Sequence, residues 1–254
     1  LHSFPTRRSS DLCVGTATQT EVKEQIDLMY SLIHQQVDVI VLVPIDSKAL
    51  VQPAVEAVRK GIPVINIDIQ LDAQLLEQAG VEVAFVGPDN FAAAYEVGKL
   101  LGKKLRNEDK VAIIEGLAVA DNARQRKRGF IKAIEEKGLR LVASEPADWE
   151  TEKAAEVFQA MWMRYPDLKA VYCSNDAMAL GVLQQMQEKK CYLPVVGFDN
   201  DAVMKEFLST GKLVATADIF SSQMAVRGIE FALDVLEGRI ENRGVHSTAY
   251  EIIK

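Results

Sequence analysis

Polar side chains follow most of the apolar strands that this sequence predicts, at the points where those strands end. Carboxylates and amides predominate, together with two arginines and one tryptophan. In a parallel α/β sheet, ligands bind beyond the carboxyl ends of the strands, so these positions are candidates for recognition or catalysis. They are Asp68, Asp89, Asn90, Arg124, Arg126, Asp148, Trp149, Asn175, Asp176, Asp199, Asn200 and Asp218.

The residue types in this set suit a polyhydroxylated ring. The apolar C–H face of such a ring packs on an indole, while each hydroxyl both donates and accepts hydrogen bonds. Carboxylates and amides form those bonds in pairs, and one fixed guanidinium adds directed donors. The set therefore favours a sugar-type binding site.

Helix capping is the competing explanation for the residues that stand next to helix starts. Asp and Asn commonly accept hydrogen bonds from the first N–H groups of a helix. We interpret Asn90, Asp176 and Asn200 in this way. Trp149 lies between Asp148 and Glu150, where a large aromatic group must pack on something. Packing on its own domain and stacking on a ligand both remain open.

The sequence contains no pattern typical of a catalytic site. His34 lies on a predicted helix and His246 in a C-terminal loop, and neither stands at a readable spacing from a Ser or Cys nucleophile. There is no glycine-rich phosphate loop and no HExxH or CxxC pattern. The sequence therefore predicts a protein that is not an enzyme and that uses no cofactor and no metal.

Composition and charge exclude several other classes. The chain has 254 residues, of which 48% are hydrophobic and 26% are charged, as in a globular protein. Its net charge of −7 provides no positive field for a phosphate backbone, so we expect no nucleic-acid partner. Three scattered cysteines are too few for a disulfide framework. No apolar run approaches the ~20 residues of a membrane span.

Strands and helices alternate along nearly the whole chain. Apolar runs rich in β-branched residues predict strands that are covered on both faces, and apolar residues at helical spacing predict amphipathic helices. This alternation predicts an α/β fold with parallel sheets and right-handed crossovers. The predicted strands are 14–18, 37–43, 63–68, 81–86, 110–115, 139–143, 168–173, 194–198 and 213–217. The predicted helices are 21–36, 47–60, 90–105, 122–137, 152–164, 176–189, 201–209 and 222–237.

The first residues do not continue this pattern. Residues 2–12 (HSFPTRRSSDL) have neither helical nor strand periodicity and join abruptly to the segment that follows. The string resembles a translated sequencing adapter, so residues 1–12 are excluded from the fold prediction. A basic disordered arm is the alternative. If the adapter interpretation holds, any signal peptide stood upstream of this junction.

Six motifs together resemble the ribose-binding-protein group of periplasmic sugar-binding proteins, which have the type I fold. They are VLVPIDSKAL, IPVINIDIQ, VGPDN, RQRKRGF, YCSNDAMALG and VVGFDN, and the resemblance extends over residues 14–254. It implies two Rossmann-like lobes, each a parallel sheet with helices on both faces, joined by a three-segment hinge. The implied N-terminal lobe contains residues 13–88 and 220–248. The implied C-terminal lobe contains residues 89–219 and 249–254.

The resemblance also implies a function. Members of this group close over one sugar and deliver it to an ABC-type permease. The implied partners of a monomeric chain are a sugar, the membrane subunits of the permease and a chemoreceptor. The implied location is the periplasm, or secretion with a membrane anchor. The alternative is the effector-binding core of a lac-repressor-type regulator, although residues 213–224 (LVATADIFSSQM) resemble the transport proteins more closely. A sensor ectodomain or lipoprotein of the same fold is a third reading.

Site residues follow from the resemblance where its motifs match. It assigns sugar contacts to Asp68, Arg126, Trp149, Asn175 and Asp199, and the strand ends add Asp89 and Asp218 as ligand-binding candidates. Four positions depart from ribose binders, because apolar residues replace polar ones there, and this argues against ribose itself. They are Val43, Ile69, Pro88 and Ile219.

An apolar wall of this kind suits a sugar with a methyl group, another ring size or a differently placed hydroxyl. The resemblance also implies that the first strand and helix of the family are missing before Cys13. The first sheet is therefore expected to lack a central strand.

Overall fold

The computed structural model describes residues 12–254, so all of the adapter-like string except Leu12 lies outside the described residues. The helices are α1 (Val22–His34), α2 (Val51–Arg59), α3 (Ala73–Ala79), α4 (Asn90–Gly102), α5 (Asp121–Lys137), α6 (Thr151–Arg164), α7 (Asp176–Glu188), α8 (Lys205–Ser209) and α9 (Ser221–Leu236). The strands are β1 (Ile40–Leu42), β2 (Val64–Ile67), β3 (Phe85–Pro88), β4 (Lys110–Glu115), β5 (Arg140–Pro146), β6 (Ala170–Cys173), β7 (Val195–Val196), β8 (Leu213–Asp218), β9 (Val245–Thr248) and β10 (Glu251–Ile253).

The first sheet has the strand order β1-β2-β3-β9, and all its strands are parallel. Its central strand β2 is buried along its whole length, as a strand covered on both faces requires. Apolar residues of α1, α2 and α3 pack on one face, and α9 packs on the other through Phe231, Ala232 and Val235. We call this sheet with its four helices the first unit.

The second sheet has the strand order β10-β8-β7-β6-β4-β5. Helices α4 and α5 cover one face, where the rings of Phe130 and Tyr172 pack with centroids 5.3 Å apart. Helices α6 and α7 cover the other face around Phe158. All strands are parallel except β10, which pairs antiparallel with β8. We call this sheet with its helices the second unit, and the two sheets confirm the predicted α/β class.

The chain passes between the two units at three places. These are the step from β3 into α4, the step from β8 into α9 and the step from β9 into β10. At the second crossing, Phe220 has a left-handed backbone (φ 51°), and its N–H donates to Asp218 Oδ1 at 2.7 Å. Within residues 12–254, no helix combines the length and the apolar character that crossing a bilayer needs.

Most predicted elements are present, but the strand expected at 14–18 is wrong. Val14 is exposed and the segment has no regular structure. A strand needs a neighbour for its N–H and C=O groups, and no described strand pairs with the outer edge of β1.

Three elements were not predicted. Helix α3 has seven residues, too few to show a period, and β9 is exposed over most of its length, so it has no apolar run. Strand β10 is likewise short, with three residues.

Candidate functional site

Arg126 on α5 lies at the centre of a polar cluster beside the first unit. Its side chain is 3% exposed. Nε donates to Asn90 Oδ1 at 2.9 Å, and Nη1 donates to the Ser174 carbonyl oxygen at 2.8 Å. Nη1 also lies 3.4 Å from Asp199 Oδ1, and the guanidinium carbon lies 3.7 Å from the centroid of the Phe198 ring. These contacts fix the guanidinium in one orientation, and no hydrogen bond among the described residues uses Nη2.

Two carboxylates from different units share this one positive charge. Asp68 follows β2 with a left-handed backbone (φ 62°), and its Oδ1 is buried without a hydrogen-bond partner among the described residues. Burial raises the pKa of Asp68, and Arg126 opposes that shift. Burial also raises the pKa of Asp199 to about 7, with Arg126 again opposing it and the Asp176 and Asp68 carboxylates adding to it. The hydroxyls of a ligand would supply the hydrogen bonds that these oxygens lack.

Trp149 forms an apolar wall next to the guanidinium. Asp148 and Trp149 both have left-handed backbones (φ 51° and 71°), which turn the indole inward until it is 8% exposed. The Arg126 guanidinium carbon lies 5.5 Å from its ring. The indole belongs to the apolar core of the second unit, and that core also includes Ile69 from the first unit. Packing on its own domain is therefore observed, and stacking on a ligand stays a prediction.

Gly116 makes room for this tryptophan. A Cβ atom at Gly116 would lie 2.0 Å from an indole carbon of Trp149. We expect Gly116→Ala to displace the indole and to weaken ligand binding by about tenfold, the size of an ordinary overpacking penalty. Titration calorimetry measures the loss. Gly15→Ala is the matched control, because a Cβ there meets nothing within 4 Å. Equal affinities of the two variants would contradict this role of Gly116.

The remaining candidates have partners within the protein. Asn175 Oδ1 accepts from Met178 N–H at 2.9 Å and caps α7, while its Nδ2 has no partner among the described residues. Asp89 is exposed and caps α4 through Ala92 N–H at 2.8 Å. Asp218 accepts from Asn200 Nδ2 at 2.9 Å and from Phe220 N–H. The structure thus brings Asp68, Trp149 and Asp199 together around Arg126. Asp89 and Asp218 instead accept hydrogen bonds from groups outside this cluster.

Three capping predictions are wrong. Asn90 is not a cap, because its side-chain oxygen accepts from Arg126 while Asp89 caps the same helix. Asp176 is not a cap either, because Asn175 caps α7. Asn200 precedes no described helix start and donates to Asp218. In the pairs Asp89–Asn90 and Asn175–Asp176, the first residue caps the helix whether it is Asp or Asn, so the backbone decides which residue is the cap and residue type does not.

Asp176 instead holds the loop that carries Asp199. It is fully buried, its Oδ2 accepts from Asp201 N–H at 2.9 Å, and its Oδ1 accepts from Thr216 Oγ1 at 3.0 Å. Gly197 packs against this carboxylate, and no larger residue fits there, because a Cβ atom at Gly197 would lie 1.9 Å from Asp176 Oδ1. Burial raises the pKa of Asp176 to about 7.

The raised pKa of Asp176 predicts a pH effect on stability. The folded state holds the proton more tightly than the unfolded state, whose value is 3.8. This contribution is therefore complete below pH 3.8 and is lost as the pH rises towards about 7. We expect the unfolding midpoint of the parent, relative to that of Asp176→Asn, to fall by several degrees between pH 5 and pH 8. Scanning calorimetry measures both proteins. A difference between the two midpoints that stays constant with pH would contradict the prediction.

The four departures from ribose binders occupy different surroundings. Ile69 is 7% exposed and belongs to the core that contains Trp149. Ile219 is 3% exposed and belongs to the core that contains Phe198. Pro88 is buried at the end of β3, whereas Val43 is exposed. Ile69 and Ile219 therefore lie in the same apolar cores as Trp149 and Phe198, the two rings beside the Arg126 guanidinium.

Comparison with known proteins identifies the family. A sequence model of the periplasmic binding protein domain matches residues 8–240. The chain belongs to the periplasmic binding protein family. It is 40% identical over 244 residues to the D-ribose/D-allose-binding protein of Pseudomonas aeruginosa, an alignment that covers 94% of this chain and 76% of that protein. The resemblance to the ribose-binding group of this family is thereby confirmed.

Two solved structures of ABC transporter solute-binding proteins share the fold. An ABC transporter solute-binding protein from Burkholderia multivorans, solved with an unknown ligand, is 38% identical with a TM-score of 0.89, covering 93% of this chain and 84% of that one. A periplasmic solute-binding protein from Actinobacillus succinogenes, solved with D-allose, is 31% identical with a TM-score of 0.85, covering 91% and 83%. Across residues 12–254, no cluster of three or more His, Cys, Asp or Glu side chains could hold a metal ion.

Proposed function

We propose that this chain is the substrate-binding protein of an ABC-type sugar importer and that it holds one monosaccharide between its two units. The observation that carries the proposal is the Arg126 guanidinium, which is fixed by Asn90 and Ser174 and interacts electrostatically with Asp68 of the first unit. Membership of the family and the names of the relatives support it.

The mechanism is binding coupled to closure. We take the lobes to be residues 13–88 with 220–248 and residues 89–219 with 249–254, so that the three crossings form the hinge. A sugar that contacts Asp68 on one lobe, and Arg126 and Asp199 on the other, binds the closed state better than the open state. That difference in affinity shifts the equilibrium towards closure. Trp149 packs on the apolar face of the ring, and Asn175 Nδ2 donates to a hydroxyl.

The sugar is a monosaccharide with fewer polar contacts than ribose makes in ribose binders. Ile69 and Ile219 are buried in the apolar cores beside the site. They favour a ligand with a methyl group or a bare C–H face at those positions. The Pseudomonas relative is named for D-ribose and D-allose, so D-allose and deoxy sugars head the panel to be tested.

Location and partners follow from the transport role. We place the protein in the periplasm, or outside the cell on a membrane anchor, as a monomer whose closed face is recognised by the permease subunits. A chemoreceptor is a further candidate partner for the same face. The chain catalyses no reaction in this scheme, in keeping with relatives that are named as binding proteins.

Titration calorimetry against pentoses, hexoses, deoxy sugars and polyols tests the proposal. We expect one ligand class to bind with a dissociation constant in the micromolar range or below, and the liganded protein to stimulate the ATPase of its importer in proteoliposomes. A folded protein that binds no sugar in the panel would contradict sugar binding. Sugar binding without any stimulation of an importer would favour the effector core of a regulator.

A further inference from the structure

Ser47, in the turn that precedes α2 in the first unit, forms hydrogen bonds with residues of the second unit. It is fully buried. Its N–H donates to the Val119 carbonyl oxygen at 3.1 Å, and its Oγ accepts from Asp121 N–H at 2.8 Å. Its own carbonyl oxygen accepts from Asp72 N–H of the first unit at 2.7 Å. One serine thus joins its own turn to the loop that leads into α5.

The hydroxyl of Ser47 supplies a cap that α5 lacks. The first N–H groups of a helix have no partner inside the helix and need an acceptor. The residue at the N-cap position of α5 is Ala120, whose side chain has no acceptor. Asp121 is the first residue of the helix, and its N–H bonds to Ser47 Oγ instead. The helix that carries Arg126 is therefore capped by a side chain of the other unit.

We propose that Ser47 is a positioning residue for sugar binding, because its hydroxyl caps α5 only when the two lobes close. The inference rests on the proposed function. Closure removes the Asp121 N–H from water and gives it the Ser47 hydroxyl, while opening returns both groups to solvent. The bond therefore adds to the stability of the closed state and raises sugar affinity without touching the sugar.

Local contacts keep the Ser47 turn in place without its hydroxyl. Asp46 Oδ1 accepts from Lys48 N–H at 2.7 Å and from Ala49 N–H at 2.9 Å. The backbone bonds of Ser47 to Asp72 and Val119 need no side chain. Removal of the hydroxyl therefore leaves the first unit folded, and its effect falls on the closed state.

Ser47→Ala tests the cap. We expect the dissociation constant for the bound sugar to rise about fivefold, the usual size of a lost N-cap. Most of the loss should appear as faster sugar dissociation in stopped-flow tryptophan fluorescence, because the bond breaks on opening. The unfolding midpoint of the sugar-free protein should stay unchanged, which a merely structural role would not allow. Ser209→Ala, at an exposed serine bonded only within its own helix end, is the matched control.

Amide hydrogen exchange at Asp121 separates this inference from the proposed function. If the protein binds sugar, faster exchange at Asp121 in sugar-saturated Ser47→Ala than in the parent supports the cap. An affinity within twofold of the parent, with unchanged exchange, contradicts the cap and leaves sugar transport standing. If the parent binds no sugar, the proposed function fails. The positioning role of Ser47 rests on that function and fails with it, whereas failure of the cap alone leaves sugar binding intact.

Discussion

Replacing Arg126 by methionine is expected to weaken sugar binding by at least about 100-fold, because a buried charge pair would lose one partner. Methionine fills a similar volume and donates no hydrogen bond. The substitution leaves Asn90 Oδ1 and the Ser174 carbonyl oxygen without their donor and leaves Asp199 beside no positive charge. Titration calorimetry with the best sugar of the panel measures the loss, and circular dichroism verifies that the variant is folded.

The control for this variant lies two residues away on the same helix. Arg128 is exposed, so Arg128→Met removes an arginine from the same basic run without reaching the cluster. We expect it to bind sugar within twofold of the parent. Arg126→Lys separates charge from geometry, because lysine keeps the charge but cannot form the same set of directed bonds. Binding by folded Arg126→Met within tenfold of the parent would rule out the guanidinium as the principal sugar contact.

Periodicity in the sequence predicts those elements whose burial is regular. Strand β4 occupies residues 110–115, as predicted, because its central residues are apolar and buried on both faces. The apolar positions of helix α5 recur at helical spacing, so its predicted start lies within one residue of the observed start at Asp121. Strand β9 shows no such pattern because three of its four residues are exposed. Its place in the sheet depends on pairing with β3, which is a contact between distant parts of the chain.

The sequence predicts the charged residues of the candidate site but not the groups that hold Arg126 in place. Asp68 and Asp199 follow strand ends, Arg126 lies on the helix after β4, and the fold brings these places together. Phe198 stacks on the guanidinium, but a buried aromatic residue at a strand end has no polar signal in the sequence. The Ser174 contact uses a backbone carbonyl, which every residue has. Sequence reasoning therefore finds groups that are unusual in type and misses groups that matter only through position.

Asp68→Asn is expected to weaken sugar binding by about 30-fold, the size of a lost hydrogen bond to a charged group. Asparagine has the same shape and tolerates the left-handed backbone at this position (φ 62°). Its amide keeps one acceptor oxygen, whereas the carboxylate offers two to neighbouring hydroxyls. Titration calorimetry measures the affinity. Asp38→Asn makes the same change at an exposed position of the first unit and should leave it within twofold.

The same variant should make the sugar-free protein more stable, which separates a binding role of Asp68 from a structural one. Burial without a partner for Oδ1 raises the pKa of Asp68. The folded state therefore disfavours the charged form, and the contribution of Asp68 to stability is lost as the pH rises above its unfolded value. Asparagine removes this cost of burying a charge, so the unfolding midpoint of Asp68→Asn should exceed that of the parent by more at pH 8 than near the unfolded value of 3.8. A lower midpoint at pH 8 would mean that the Asp68 charge stabilises the fold through Arg126, and unchanged affinity would mean that the sugar does not contact Asp68. Weaker binding together with a more stable sugar-free protein would show that the Asp68 carboxylate serves ligand binding and does not stabilise the fold.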